Sequence, residues 1–163
     1  MMKKIVISGI LLVGLVTAYA FTTVPQQEIP DSCKSKETRK TCKTKLDKYE
    51  YDASKSTRIT FKNKKQEKEI EVPLFMGEKY RFVFSTEGLP QDIGIEIYDR
   101  HKESKKRSLL FSNKDVKDQE FVFEPEKSRK LYVNYIIPET SDELKKGCVV
   151  FVVGFKSKFK KEG

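Results

Sequence analysis

The sequence predicts a mainly β protein: an antiparallel, jelly-roll-like β-sandwich of about eight strands, preceded by one short N-terminal helix. Three observations predict it. From residue 55 onward apolar side chains recur at every second position, the period of a strand with one buried face. The alternating segments are short and separated by turns bearing Lys, Asp and Pro, which favours two packed antiparallel sheets. The run 148–155 carries no charge and is apolar on both faces, as befits a strand in the middle of a covered sheet.

The chain begins with an address. Lys3 and Lys4 give a positive start, an uncharged apolar run follows, and Ala18-Tyr19-Ala20 places small residues where a signal peptidase reads. This is the layout of a secretory signal over 1–20, cleaved before Phe21. Removing those 20 residues and their two lysines leaves 143 residues and lowers the formal charge from +9 to +7. No later run is long enough to span a bilayer. The mature protein is therefore expected to be secreted or periplasmic and not integral to the membrane.

Residues 21–30, with two prolines and no periodicity, read as a flexible lead. Residues 31–54 read as a short basic helix and linker. Asp31 or Ser32 can cap the helix, and Cys42, Leu46 and Tyr49 fall at i, i+4 and i+7 to make one thin apolar stripe. The sandwich is expected over 55–156, followed by a basic tail over 157–163.

Within the sandwich, Ile59 and Phe61 alternate with polar neighbours, as do Ile70, Val72 and Leu74 and then Tyr80, Phe82 and Phe84. The second and third of these segments read as a β-hairpin turning at Gly77, with Pro73 marking an edge strand. Ile93, Ile95 and Ile97, then 109–111, Phe121 with Phe123, 131–137 and 148–155 complete eight candidate strands. The segments Gly77-Glu78-Lys79-Tyr80-Arg81-Phe82-Val83-Phe84, Ile93-Gly94-Ile95-Glu96-Ile97-Tyr98-Asp99, Phe121-Val122-Phe123 and Leu131-Tyr132-Val133 resemble, in this order, the bacterial pre-peptidase C-terminal type domain. The chain is similar, too, to small exported bacterial proteins built around one such sandwich. The resemblance implies a small jelly-roll-like sandwich, no catalytic residues, and a secretion-linked or binding accessory role.

Chemistry-bearing residues are few. Three cysteines in an oxidising compartment allow one disulfide. Cys33 and Cys42 lie nine positions apart, about 13.5 Å along a helix, too far for a bond unless the helix breaks. Cys42 on the apolar stripe is the favoured partner of Cys148, with Cys33–Cys148 and then Cys33–Cys42 as alternatives. A cysteine enzyme would need Cys148 as nucleophile and His101 as base. However, His101 sits in a charged loop and no arginine follows Cys148. No G-x-S-x-G, C-x-x-C or phosphate-cradling G-x-x-x-x-G-K occurs. Glu139, Asp142 and Glu143 could meet a cation but read as a solvated acidic loop. No catalytic residue, metal site or cofactor is expected.

The positive charge is gathered in four clusters, within 34–48, 62–68, 100–107 and 156–161. If they share one face they could hold a polyanion such as lipopolysaccharide, an acidic glycan or extracellular DNA, with no sequence-specific nucleic-acid reading. The first cluster supplies the candidate contacts Lys34, Lys36, Arg39, Lys40, Lys43 and Lys45. The leading expectation is an exported non-catalytic module that binds an envelope or extracellular partner or gives structural support there. The alternatives are a polyanion-binding protein and a Cys148 hydrolase or transpeptidase.

Overall fold

The computed structural model describes Cys33 and residues 36–127, 129–141 and 145–157. The expected signal, the lead, Asp31, Ser32, Lys34, Asp142, Glu143 and the tail beyond Ser157 lie outside them.

One helix and eight strands follow in chain order: α1 (Lys36–Thr44), β1 (Glu50–Thr60), β2 (Gln66–Val72), β3 (Glu78–Ser85), β4 (Gly94–Tyr98), β5 (Leu109–Ser112), β6 (Glu120–Phe123), β7 (Leu131–Ile137) and β8 (Lys146–Ser157). The strands form two four-stranded antiparallel sheets, ordered β1-β8-β3-β6 and β2-β7-β4-β5. The chain behaves as a ribbon doubled on itself at β4–β5. Its successive pairs, β4–β5, β3–β6, β2–β7 and β1–β8, fall alternately in the two sheets. This is the jelly-roll-like winding that the sequence predicts.

Alternation explains the core. Ile70 and Val72 of β2, Ile95 and Ile97 of β4 and Leu131, Val133 and Tyr135 of β7 point inward from one sheet. Phe82 and Phe84 of β3 and Val149, Phe151 and Val153 of β8 point inward from the other. Phe151 lies 4.6 Å from Phe84 and 5.1 Å from Phe82, and Phe84 stacks on Phe121 at 5.3 Å. Each such ring pair adds about 0.5–1.5 kcal/mol beyond the area it buries. β8 lies between β1 and β3, which accounts for its charge-free sequence: its inner face meets the core and its outer face meets α1.

That outer face carries a second small core, in which Cys42 and Leu46 pack on Val83, Val150 and Val152 with Tyr49 against them. The stripe expected at Cys42, Leu46 and Tyr49 is therefore what seats the helix, although regular helix ends at Thr44 and a turn carries the chain onward. Asp47 in that turn has φ 53°. Arg81 on β3 completes the seat. It lies 2.6 Å from Glu124, donates to the carbonyls of Lys45 (3.2 Å) and Leu46 (3.4 Å), and has its guanidinium 4.7 Å from the centre of the Tyr49 ring. Lys45 and Leu46 belong to the turn after α1, so Arg81 ties that turn to β3 and places a cation beside the negative end of the helix.

Two expectations are corrected. β2 and β3 do not form a hairpin: β2 pairs with β7, and β3 with β8 and β6. The five residues 73–77 instead cross from one sheet to the other. Gly77 still supplies the special backbone, with φ 89°, and the strand before Pro73 does lie at a sheet edge. β1, in turn, begins at Glu50 rather than in the mid-50s. Its register shifts between Tyr51 and Ala53, and the irregularity at Asp52 breaks the period of two there.

Candidate functional site

The strand directions sort the connections into two ends. Segments 73–77, 99–108 and 124–130 lie at one end, which we call the loop end. Segments 61–65, 86–93 and 113–119, with 138–141 and 145, lie at the other. The two ends differ in chemistry. Among the described residues, segments 99–108 and 124–130 hold eight basic and four acidic side chains, whereas the segments of the opposite end hold six basic and five acidic ones.

The 73–77 crossover forms the tip of the loop end. Its Phe75 and Met76 are 75% and 90% exposed. The tip is braced rather than loose, because the Phe75 amide donates to the Tyr80 hydroxyl at 3.1 Å and Gly77 closes the turn. Burial pushes the Tyr80 hydroxyl up from its ordinary value, so it stays protonated. Lys79 and Lys156 pair across β3 and β8 just behind the tip.

The 99–108 loop folds back over the outer face of the β2-β7-β4-β5 sheet, pinned by two nearly buried carboxylates. Glu69 accepts from the Lys102 amide at 3.1 Å and from Arg107 at 3.4 Å, and His101 Nε2 approaches it to 3.3 Å. Asp99 accepts from the Ser108 amide at 2.6 Å, with Arg129 at 3.6 Å. Arg107 also stands 3.7 Å above the centre of the Tyr98 ring, whose hydroxyl donates to Glu96. The charged loop that carries His101 is thus anchored, and its other cations, among them Arg100, Lys105 and Lys106, stay exposed at the same end as the tip.

The predicted cysteine pairing is also corrected. Cys148 is bonded to Cys33, with Cα atoms 5.0 Å apart, and Cys42 is a free, buried thiol. The physical reason is the direction of α1, which runs along β8. Cys33, upstream of the helix, meets the start of β8, whereas Cys42 is carried on to the level of Val150 and Val152 and fills an apolar slot there. Burial, with Glu120 nearby, raises the Cys42 thiol to about 11. Bonded to Cys33, Cys148 has no thiol for the proposed nucleophile, and His101 lies at the opposite end of the sandwich on the other sheet.

The helix cations expected to contact a polyanion are divided in their contacts. Lys45 pairs with Glu120 at 2.8 Å, Arg39 reaches the Ser56 hydroxyl at 3.4 Å, and Lys43 stands 3.7 Å over the Tyr51 ring. Lys36 and Lys40 are exposed. Among the described residues the four basic clusters do not share one face: 100–107 and 156–157 reach the loop end, 62–68 begins at the other end, and 36–48 lies over the outer face of the first sheet. Among the described residues no group of three or more His, Cys, Asp or Glu could hold a metal ion, and no helix is long and apolar enough to cross a membrane.

No family model matches this chain, and no curated protein matches it in sequence. One solved structure similar to it is that of PliG from Aeromonas hydrophila, a periplasmic lysozyme inhibitor of g-type lysozyme. The likeness has a TM-score of 0.42 and 8% identity, and it covers 63% of this chain and 86% of that one.

Proposed function

We propose that this is an exported, non-catalytic β-sandwich protein that acts at the cell envelope by binding, and that its loop end recognises an anionic lipid surface. One observation carries the reading: a braced, protruding pair of apolar side chains, Phe75 and Met76, shares one end of the sandwich with the exposed cations of 99–108 and 124–130. A convex apolar tip needs no matching pocket if its partner is the boundary between headgroups and acyl chains, and cations around it meet the phosphates. The secretory signal read at 1–20 supports this reading, since an exported protein meets such surfaces.

Flotation with vesicles tests this. At about 0.1 M salt, where charges still act over about 10 Å, the protein floats with phosphatidylglycerol vesicles and not with phosphatidylcholine vesicles. Phe75→Asp and Met76→Asp each abolish flotation without changing the unfolding midpoint. Absence of flotation, or flotation indifferent to both substitutions, overturns the lipid reading. Retention on heparin without flotation would transfer the role to a soluble polyanion.

A further inference from the structure

Positive charge on α1 is confined to one flank. Its four cations, Lys36, Arg39, Lys40 and Lys43, occupy positions i, i+3, i+4 and i+7. They therefore share one side of the helix, over two turns and about 10 Å. Two contacts show that this side is turned to β1. Arg39 donates to the Ser56 hydroxyl at 3.4 Å, and Lys43 stands 3.7 Å over the Tyr51 ring. Glu37, the one acid of α1, lies outside the stripe.

The sheet prolongs this strip beyond the start of the helix. Ser54, Ser56 and Arg58 of β1 pair with Val152, Val150 and Cys148 of β8, on the face that α1 covers. Lys146 follows on the same face as the partner of Thr60. The Cys33–Cys148 bond holds the segment before α1 beside Arg58. Since α1 runs antiparallel to β1, the strip passes from Lys43 through Arg39 and Lys36 to Arg58 and Lys146, away from the tip. Among the described residues no carboxylate pairs with Lys36, Lys40, Arg58 or Lys146, and all four are exposed.

This arrangement works against the helix. Lys36 with Lys40, and Arg39 with Lys43, are like-charged pairs at i and i+4, which destabilise a helix. Lys36 also stands in the first turn, where the helix dipole disfavours a cation. An anionic chain laid along the strip offsets both effects. We propose that the strip binds an acidic polysaccharide, whose carboxylates or sulfates meet the cations and whose hydroxyls meet Ser54 and Ser56. The surroundings select a glycan among polyanions. A single nucleic-acid strand is held by exposed rings on which its bases stack, and a lipid surface by exposed apolar side chains. Among the described residues of α1 and β1, the one exposed large hydrophobic is Tyr51, whose ring carries Lys43 and whose hydroxyl shares a hydrogen bond with Ser54 at 3.1 Å. A duplex would need a helix free to enter its groove, but α1 lies against the sheet with its basic flank turned to β1.

Titration with a fluorescent heparin oligosaccharide and with polygalacturonate, at about 0.1 M salt, tests the site. The protein binds both glycans, and binding weakens as salt rises. Lys36→Gln combined with Lys40→Gln weakens binding by about tenfold, while the thermal transition does not fall, because a like-charged pair has gone. Arg58→Gln weakens binding from the sheet side and serves if the helix variant unfolds. Lys64→Gln combined with Lys65→Gln removes the same charge elsewhere and leaves binding unchanged. No binding of either glycan, an equal loss in the two double variants, or tighter binding of a single-stranded or duplex oligonucleotide overturns the proposal. Phe75→Asp leaves glycan binding in place and the helix variant leaves flotation in place, so this strip and the lipid-binding tip can fail separately.

Discussion

Gly154 of β8 lies directly beneath Leu46: a methyl group added at Gly154 would stand 2.7 Å from Leu46 Cδ2. It would also meet the Tyr49 Cβ at 3.0 Å and the Glu50 carbonyl at 3.1 Å. The leucine end could rotate away, but the backbone oxygen cannot. The missing side chain is what lets the turn after α1 rest on the sheet, within reach of Arg81 at the Lys45 and Leu46 carbonyls. Gly154→Ala should therefore cost about 1–3 kcal/mol through overpacking, read as a lower urea midpoint with an unchanged slope. A midpoint equal to that of the parent would mean that the helix does not press on β8 there.

The Cys33–Cys148 bond spans 115 positions and ties the segment before α1 to the start of the central strand. Closing so long a loop restricts the unfolded chain strongly, by about 3–5 kcal/mol in the chain-entropy account. Cys33→Ser and Cys148→Ser should lower stability by similar amounts, because each breaks the same bond. Cys42→Ser should leave the bond intact and cost less. Titration of thiols in denaturant should find one thiol in the parent chain, two in the Cys33 or Cys148 variant, and none after Cys42→Ser.

The strands, the central place of β8 and the edge position of β2 were legible because burial acts on alternate residues and leaves its period in the composition. Four features were not. The crossover at 73–77 has the same local signals as a hairpin turn, and nothing local tells the chain which sheet will receive Tyr80. The cysteine pairing depends on the direction of α1 across β8, which the apolar stripe does not encode: the stripe names the buried face without its heading. The anchoring of 99–108 rests on Glu69, an outward-facing strand residue that looks like any solvated glutamate until a loop folds over it. The tip was hidden for a related reason, since Phe75 and Met76 read as part of a hairpin reversal at Gly77, which says nothing of their standing exposed at one end of the sandwich.

Stability should fall on the alkaline side, with Cys42 leading. Burial raises its thiol from 9.0 to about 11, so the folded protein holds this proton more tightly than the unfolded chain does. The stabilisation is complete below pH 9 and is lost as pH rises toward 11. Tyr135, also raised by burial, extends the decline above pH 10, where tyrosines of the unfolded chain ionise. Urea midpoints measured from pH 7 to pH 11 should be flat and then drop. In Cys42→Ala, whatever its overall cost, the drop should begin about one pH unit later.

Arg107 and Glu69 hold the 99–108 loop to the sheet, and their coupling should be measurable. Glu69 is 6% exposed in its side chain and Arg107 23%, so the pair lies between a surface bridge of little value and a fully buried one. Removing the guanidinium strips the carboxylate of one charged partner and leaves His101 and the Lys102 amide. It also takes the cation from the Tyr98 ring. Arg107→Ala should destabilise by about 1.5–3 kcal/mol, the value of a hydrogen bond to a charged group. Glu69→Gln should then cost less in the Arg107→Ala background than alone, since the interaction it removes has already gone. Hydrogen exchange should locate the effect, with faster exchange at the Lys102 amide and no change in β7 or β8. Equal costs for Glu69→Gln in both backgrounds would show that the two side chains do not act as a pair.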